Sequence, residues 1–433
     1  MTRAKRWTVG VLAALALLLL LAGGLLAWWL PNETELAARV QTAFEERFGV
    51  ALKVGSVRWA LRPVPIIVAE DIATVQDKPI TVRRIALRPQ LSALWDRRIA
   101  LDEIEVDGAV LPRTSVRAFR SRAEDPAPPV SGWTMARKPV ERVRFTDVTW
   151  FDRRDIGLAY EGEVVFDDGW RPRTADVARA GVTPPARLRL VREGEEDRWQ
   201  VRIDVGGGTW NGNATLAADA KAGFALRAEL DPVGVDITQL VAAFQRNSAV
   251  EGKLSGRTVL DATGSGPIGM VRSLHTRTTF AVKPATLLKF DLAKAVSTAG
   301  LQREGKTPLD ELSGTLDTQA TDNGIVLRYT NLRARSGVLT ATGSARVFNR
   351  KLEGEAAVDL VDGVVGVPFK LAGTLDAPQL SLTGGALTGA AIGTAVLPGV
   401  GTAIGARIGQ KVEEMFTPDK KKPAPQPQRR RKE

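Results

Sequence analysis

The chain has 433 residues, no cysteine, one histidine, 41 glycines and 24 prolines, with 44 % hydrophobic and 25 % charged residues, an ordinary globular balance. No disulfide and no cysteine zinc site can form, the lone His275 cannot supply an H-E-x-x-H motif, and histidine-dependent nucleophilic catalysis would have to rest on that one residue. The net charge is +11, but residues 1–6 hold +3 of it and residues 407–433 another +5, so the remaining 400 residues are nearly balanced. A basic excess confined to the termini points to membrane topology or anionic lipid, and away from a nucleic-acid-binding domain.

Arg3, Lys5 and Arg6 form a short stub over 1–6. The uncharged, leucine-rich run Trp7–Leu30 follows, closed by Trp28, Trp29 and Pro31. At 1.5 Å per residue its 24 residues are long enough to cross a bilayer core of ~30 Å, and longer than the apolar core of a cleaved signal peptide. We read 7–30 as a transmembrane signal anchor. The basic stub puts the N-terminus in the cytoplasm and the bulk of the chain across the inner membrane, in the periplasm of a Gram-negative cell.

Residues 32–48 predict a helix. Asn32 or Thr34 caps it, Glu33 and Glu35 occupy the first turn, Gly49 ends it, and Leu36, Val40, Phe44 and Phe48 make one apolar face. Beyond Val50 the period changes to two. Trp199, Val201, Ile203 and Val205 alternate with Arg198, Gln200, Arg202 and Asp204. Phe224, Leu226, Ala228 and Leu230 alternate with Arg227, Glu229 and Asp231, and Ile325, Leu327 and Tyr329 repeat the pattern. Turn clusters at Asp167-Asp168-Gly169, Gly206-Gly207-Gly208 and Asp322-Asn323-Gly324 separate such runs. The expectation is a long antiparallel meander of roughly 20–28 strands over 50–380, with one apolar and one charged face. Short helices are expected near Ile237–Phe244 and Asp291–Thr298. The repeated strings Gly314–Asp317/Gly373–Asp376 and Ala262–Gly266/Ala341–Ala345 read either as loose repeats or as small-residue turns.

Residues 31–120 form a first helix-plus-strand module, and the Pro-rich 121–132 a linker or loop. Residues 133–380 carry the main β region, 381–416 a Gly-rich helical segment, and 417–433 a basic tail without structure. In the Gly-rich segment Gly385, Gly389 and Gly393, then Gly401, Gly405 and Gly409, recur every fourth residue, a spacing that suits close helix packing. Pro398 divides it, which leaves open a non-spanning helical hairpin or a kinked span.

Motifs for chemistry are few. Gly264-x-Gly266-x-x-Gly269 matches a dinucleotide-binding string, but Pro267 interrupts it and no suitable helix is expected after it, so it reads as a turn. The acidic clusters read as hairpin tips, and His275 lacks a nucleophile motif. We expect no enzyme, no cofactor and no metal.

Several strings along the chain carry a resemblance. These are Glu46–Gly49, Val54–Trp59, Arg62–Pro65, Leu91–Trp95 and Ile104–Gly108 near the start, and Leu312–Leu316, Thr340–Ser344 and Val367–Pro378 near the end. In this order they resemble the AsmA family of bacterial envelope proteins, related to chorein-type bridge lipid transfer proteins. The resemblance covers about 50–378 and implies an elongated, twisted sheet curled into a hydrophobic groove. It also implies binding of phospholipid, transport between the inner and outer membranes, and a part in outer-membrane biogenesis. The groove candidates are Trp199, Val201, Ile203, Val205, Phe224, Leu226, Leu230, Ile325, Leu327 and Tyr329. From pattern alone, the same face packed on a second layer as a sandwich fits equally well. A scaffold that assists outer-membrane protein assembly through a partner chain is the alternative function.

Overall fold

A computed structural model describes residues 33–383, apart from 61–63, 121–133, 153, 220–222, 266, 299–301, 303, 322, 361–366 and 376. The expected anchor at 7–30, the linker at 121–132, the basic tail and all six glycines of the 385–409 series lie outside the described residues. Among the described residues no helix is long and apolar enough to cross a membrane. The protein is mostly β: a single sheet of 21 strands, with short helices between some of them. The chain divides into two compact units, 1–283 with 314–328, and 284–313 with 329–433.

In the first unit, helix α1 (Glu33–Phe48) stands where predicted. Leu36, Val40, Phe44 and Phe48 are all buried, with the Phe44 and Phe48 rings 4.7 Å apart. Gly49 adopts φ 62°, and its N–H donates to the Glu45 carbonyl at 2.7 Å, a left-handed helix end that favours glycine. The helix lies on strands β1 (Leu52–Ala60), β2 (Ile66–Thr74), β3 (Thr81–Pro89) and β4 (Arg98–Pro112), packing against Val57, Ile67, Leu87 and Ile104. Helices α2 (Leu91–Trp95) and α3 (Arg113–Arg120) flank β4.

Strands β5 (Thr134–Phe151) to β11 (Gly223–Val233) then follow as antiparallel neighbours: β6 Gly157–Phe166, β7 Pro172–Arg179, β8 Arg187–Arg192, β9 Arg198–Val205 and β10 Gly208–Asp219. The two-residue turn from β9 to β10 has Gly206 and Gly207 at φ 56° and 69°, the type I′ geometry that matches strand twist. After the short β12 (Val235–Asp236) and helix α4 (Ile237–Ala242), β13 (Val250–Gly264) pairs with β11. Helix α5 (Pro267–Ser273) and β14 (His275–Leu287) come next.

The structure corrects three expectations. Strands β4 and β5 pair in parallel, so the antiparallel meander is broken between them. A helix does follow Gly264: Pro267 starts α5, because a proline at the first helical position gives up only an N–H that lacks an intrahelical partner anyway. A Cβ at Gly264 would press on the backbone of Gly269 and Met270, so the glycine serves close strand–helix packing. Finally, Gly314–Asp317 and Ala341–Ala345 lie inside strands, not in turns.

In the second unit, β15 (Thr307–Leu309) pairs with the end of β14, and Asp291 caps helix α6 (Leu292–Ser297) by accepting from the Lys294 N–H at 2.9 Å. Strands β18 (Leu339–Phe348), β19 (Lys351–Leu360), β20 (Val367–Gly373) and β21 (Pro378–Leu382) form a regular meander over buried Leu339, Val358, Phe369 and Leu380. Strands β16 (Glu311–Thr321) and β17 (Gly324–Arg335) adjoin the predicted Asp322-Asn323-Gly324 turn.

Candidate functional site: an apolar face and a roofed cavity

The register of the first unit aligns its apolar positions into rows that run across the strands. From β1 to β5, Trp59 pairs with Ile67, Ile67 with Leu87, Leu87 with Ile104 and Ile104 with Val143. The row continues through Val164, Ala175, Leu190, Val201, Gly212 and Leu230 to Thr258 on β13. A second row on the same face includes Phe145, Gly162, Val177, Leu188, Ile203 and Trp210. Because side chains alternate between faces, both rows follow from the period-two patterns once the register is set.

Coverage of this face changes along it. Helix α1 buries Leu87 and Ile104 to about 1 % exposure. Beyond β4 that cover ends, and Val143, Val164, Ala175 and Leu190 of the first row, with Phe145 of the second, are all half-buried. Neighbours within one sheet cannot fully bury a side chain standing perpendicular to it. Half-burial of a whole row therefore marks a face without a second layer among the described residues.

The opposite face is a charge ladder over seven strands, β3 to β9. Arg88 pairs with Glu103 and Glu105, Arg144 with Glu103 and Glu163, Arg187 with Asp176, and Arg189 with Asp176 and Asp204. Glu103 is buried at 8 % exposure, but most of the others are exposed pairs that contribute about 0–1 kcal/mol each, so the ladder settles which face stays wet more than how stable the sheet is.

One stretch of the apolar face is roofed. Segment 235–249 leaves the sheet at β12, sits on the Gly206 turn through the Asp236 N–H (3.0 Å to the Gly206 carbonyl), and forms α4, capped by Asp236 itself. It then reaches the far strands: Gln245 Nε2 donates to the Gly157 carbonyl at 2.9 Å, and Arg246 pairs with Asp152. Burial raises the Asp152 carboxyl, but the backbone N–H groups of Arg154 and Ile156 and the Arg246 charge outweigh it and hold it below the usual carboxylate range. Beneath the roof is a cavity of about 410 Å³. Its floor includes Val177, Leu188, Ile203 and Leu230, and Leu240 and Phe244 hang from above.

Arg179 enters the cavity wall and is 8 % exposed. Its Nε and Nη2 donate to the Ala243 carbonyl at 3.2 and 3.1 Å, Nη1 donates to the Ala159 carbonyl at 2.6 Å, and the guanidinium stands 5.1 Å from the centre of the Tyr160 ring. Among the described residues its partners, two carbonyls and an aromatic ring, are neutral.

The predicted groove residues fall in several places. Val201 and Leu230 are buried in one apolar cluster with Ile203, Leu226 and Trp210 packed against it, while Val205 belongs to the adjoining cluster under α4. Trp199 is buried, and its Nε1 donates to the Pro172 carbonyl at 2.6 Å. Phe224 is half-buried at the start of β11. On β17, Ile325 is 58 % exposed while its neighbour Val326 is buried. Leu327 and Tyr329 are half-buried, and burial pushes the Tyr329 phenol above its ordinary value. Sequence reasoning missed Leu188 and Leu190, although Arg187-Leu188-Arg189-Leu190 carries the same alternation, and it missed Arg179, which has no sequence signal.

His275 Nε2 donates to the Asp317 carboxylate at 2.9 Å, with Arg277 3.4 Å from the same oxygen. Burial raises the Asp317 carboxyl, but the bonds from His275 and Arg277 outweigh it and hold it below its ordinary value. Among the described residues the side-chain partner of His275 is Asp317, and no group of three or more acidic or histidine side chains is placed to hold a metal. Comparison with family models, curated proteins and solved structures finds no match to this chain.

Proposed function

We propose that this chain binds lipid along the apolar face of its sheet and, held in the inner membrane by residues 7–30, supports the movement of phospholipid between the inner and outer membranes as an AsmA-like periplasmic protein. The observation that carries the reading is the row of half-buried apolar side chains from β5 to β8, continuous in register with the rows on either side and backed by a charged face. An acyl chain laid on such a row removes apolar surface from both partners, at ~0.8 kcal/mol per methylene buried. No polar constellation is needed to hold it, and the chain can slide from strand to strand while its head group stays in water.

The test is mass spectrometry of lipids bound to the full chain, purified in mild detergent and then exchanged out of it. Several phospholipids per protein are expected. A lipid-free, monodisperse protein would mean that the face is covered by protein, and the reading would fail.

A further inference from the structure

The cavity under α4 differs from the open face beside it in one respect: its wall carries a charge. Arg179 is more than nine-tenths buried, and its three hydrogen bonds among the described residues go to the carbonyls of Ala243 and Ala159. A guanidinium has five N–H donors, so two remain for a ligand. Buried charges in proteins are ordinarily paired, because an uncompensated one is costly. Here neither a carboxylate nor any other anion of the described residues pairs with it. The cation–π contact with Tyr160 and the two carbonyls orient the guanidinium without neutralising it.

We propose that the roofed cavity is a binding site for an anionic amphiphile, whose acyl chain lies on Leu188 and Ile203 beneath Leu240 and whose carboxylate or phosphate pairs with Arg179. This rests on the lipid-binding reading above and adds a fixed station to it. At about 410 Å³ the cavity lies within the ~300–1,000 Å³ of ordinary ligand pockets, room for one acyl chain. The guanidinium fork matches the two oxygens of either head group. Of the other polar side chains in the wall, Arg187 pairs with Asp176, Thr258 accepts from Trp210 Nε1 at 3.1 Å and bonds Thr278 at 3.0 Å, and Tyr160 is uncharged. That leaves Arg179 to select the head group.

The experiment is photolabelling of the full chain in a neutral detergent with three probes that share a twelve-carbon diazirine chain and end in a carboxylate, a phosphate or an alcohol. Labelled residues are read by mass spectrometry. Both anionic probes are expected to label the cavity roughly tenfold more than the alcohol, the size of a charge-assisted hydrogen bond. The ratio between the two says whether free fatty acid or phosphate lipid is preferred. Arg179→Met should lower both to the level of the alcohol, and Leu188→Trp should exclude all three. Equal labelling by alcohol and anions in the wild type overturns the proposal whatever the variants do, as does a preference that survives Arg179→Met. If the probes label the open row of Val143, Val164, Ala175 and Leu190 but never the cavity, the station is absent and the lipid-binding reading stands. If they label neither, both fail.

Discussion

Leu190 and Leu226 offer a direct test of whether the apolar face is open. Both are half-buried, on β8 and β11, three strands apart at ~4.8 Å each, far enough for their effects to add. Full burial of a leucine contributes about 1.5–3 kcal/mol, so at half-burial each change to aspartate forfeits about 1–1.5 kcal/mol while the new carboxylate stays hydrated. The pair then costs about 2–3 kcal/mol, a fall of several degrees in Tm for a unit of this size. Against a sealed second layer, each buried, unpaired carboxylate would cost about 4–5 kcal/mol, and the two together would consume most of a typical stability of 5–15 kcal/mol. On the lipid side, a carboxylate facing an acyl chain costs about 2.5–3.5 kcal/mol, which weakens occupancy at that point roughly a hundredfold. Leu190→Asp/Leu226→Asp should therefore melt cooperatively within several degrees of wild type and lose its bound phospholipid. Thermal melting with lipid mass spectrometry on one preparation reads both. A variant that unfolds outright, or one that folds and keeps a full complement of lipid, would refute the reasoning.

Phe44→Ala should destabilise the protein by about 3–5 kcal/mol in denaturant titration, because the ring is 4 % exposed and anchors α1 to the first four strands. Gly212→Val should give little soluble protein on expression, since a Cβ there would overlap the Glu229 carbonyl on the neighbouring strand. The carboxyls of Asp152 and Asp317 are held below their ordinary value of ~3.9 in the folded state, so the stability they contribute is present above that pH and lost as pH falls through the lowered values. Tm should drop on the acid side of pH 4, and Asp317→Asn should flatten part of that drop when melts are recorded from pH 2 to 6.

Much of this was legible because it is local. The alternation Trp199–Val205 and the pair Gly206-Gly207 suffice for a hairpin, since φ above zero at both turn residues and one apolar face leave a single register. Helix α1 shows itself by four apolar residues at a spacing of four. The parallel pairing of β4 with β5 was not legible, because alternation places a side chain on a face but carries no strand direction. Helix α3, Arg-Thr-Ser-Val-Arg-Ala-Phe-Arg, has too few apolar residues to show a period. The candidate site divides the same way. Its floor could be read from strand patterns. Arg179, at the end of an ordinary strand, acquires its character only when Ala243, 64 residues later, arrives over it.

The antiparallel run from β5 to β11 also governs how the first unit comes apart. Each of these strands bonds to the one before and the one after it in sequence, so a break at one ladder leaves the next intact. Such a chain behaves as a nearly one-dimensional array, in which opening spreads from neighbour to neighbour. The segment from Val235 to Arg246 is a long tie laid across it. Amide exchange should therefore be graded along the strands, slowest where this tie holds distant strands together. Local fraying away from the tie would let the face admit a bulky guest without loss of the whole fold.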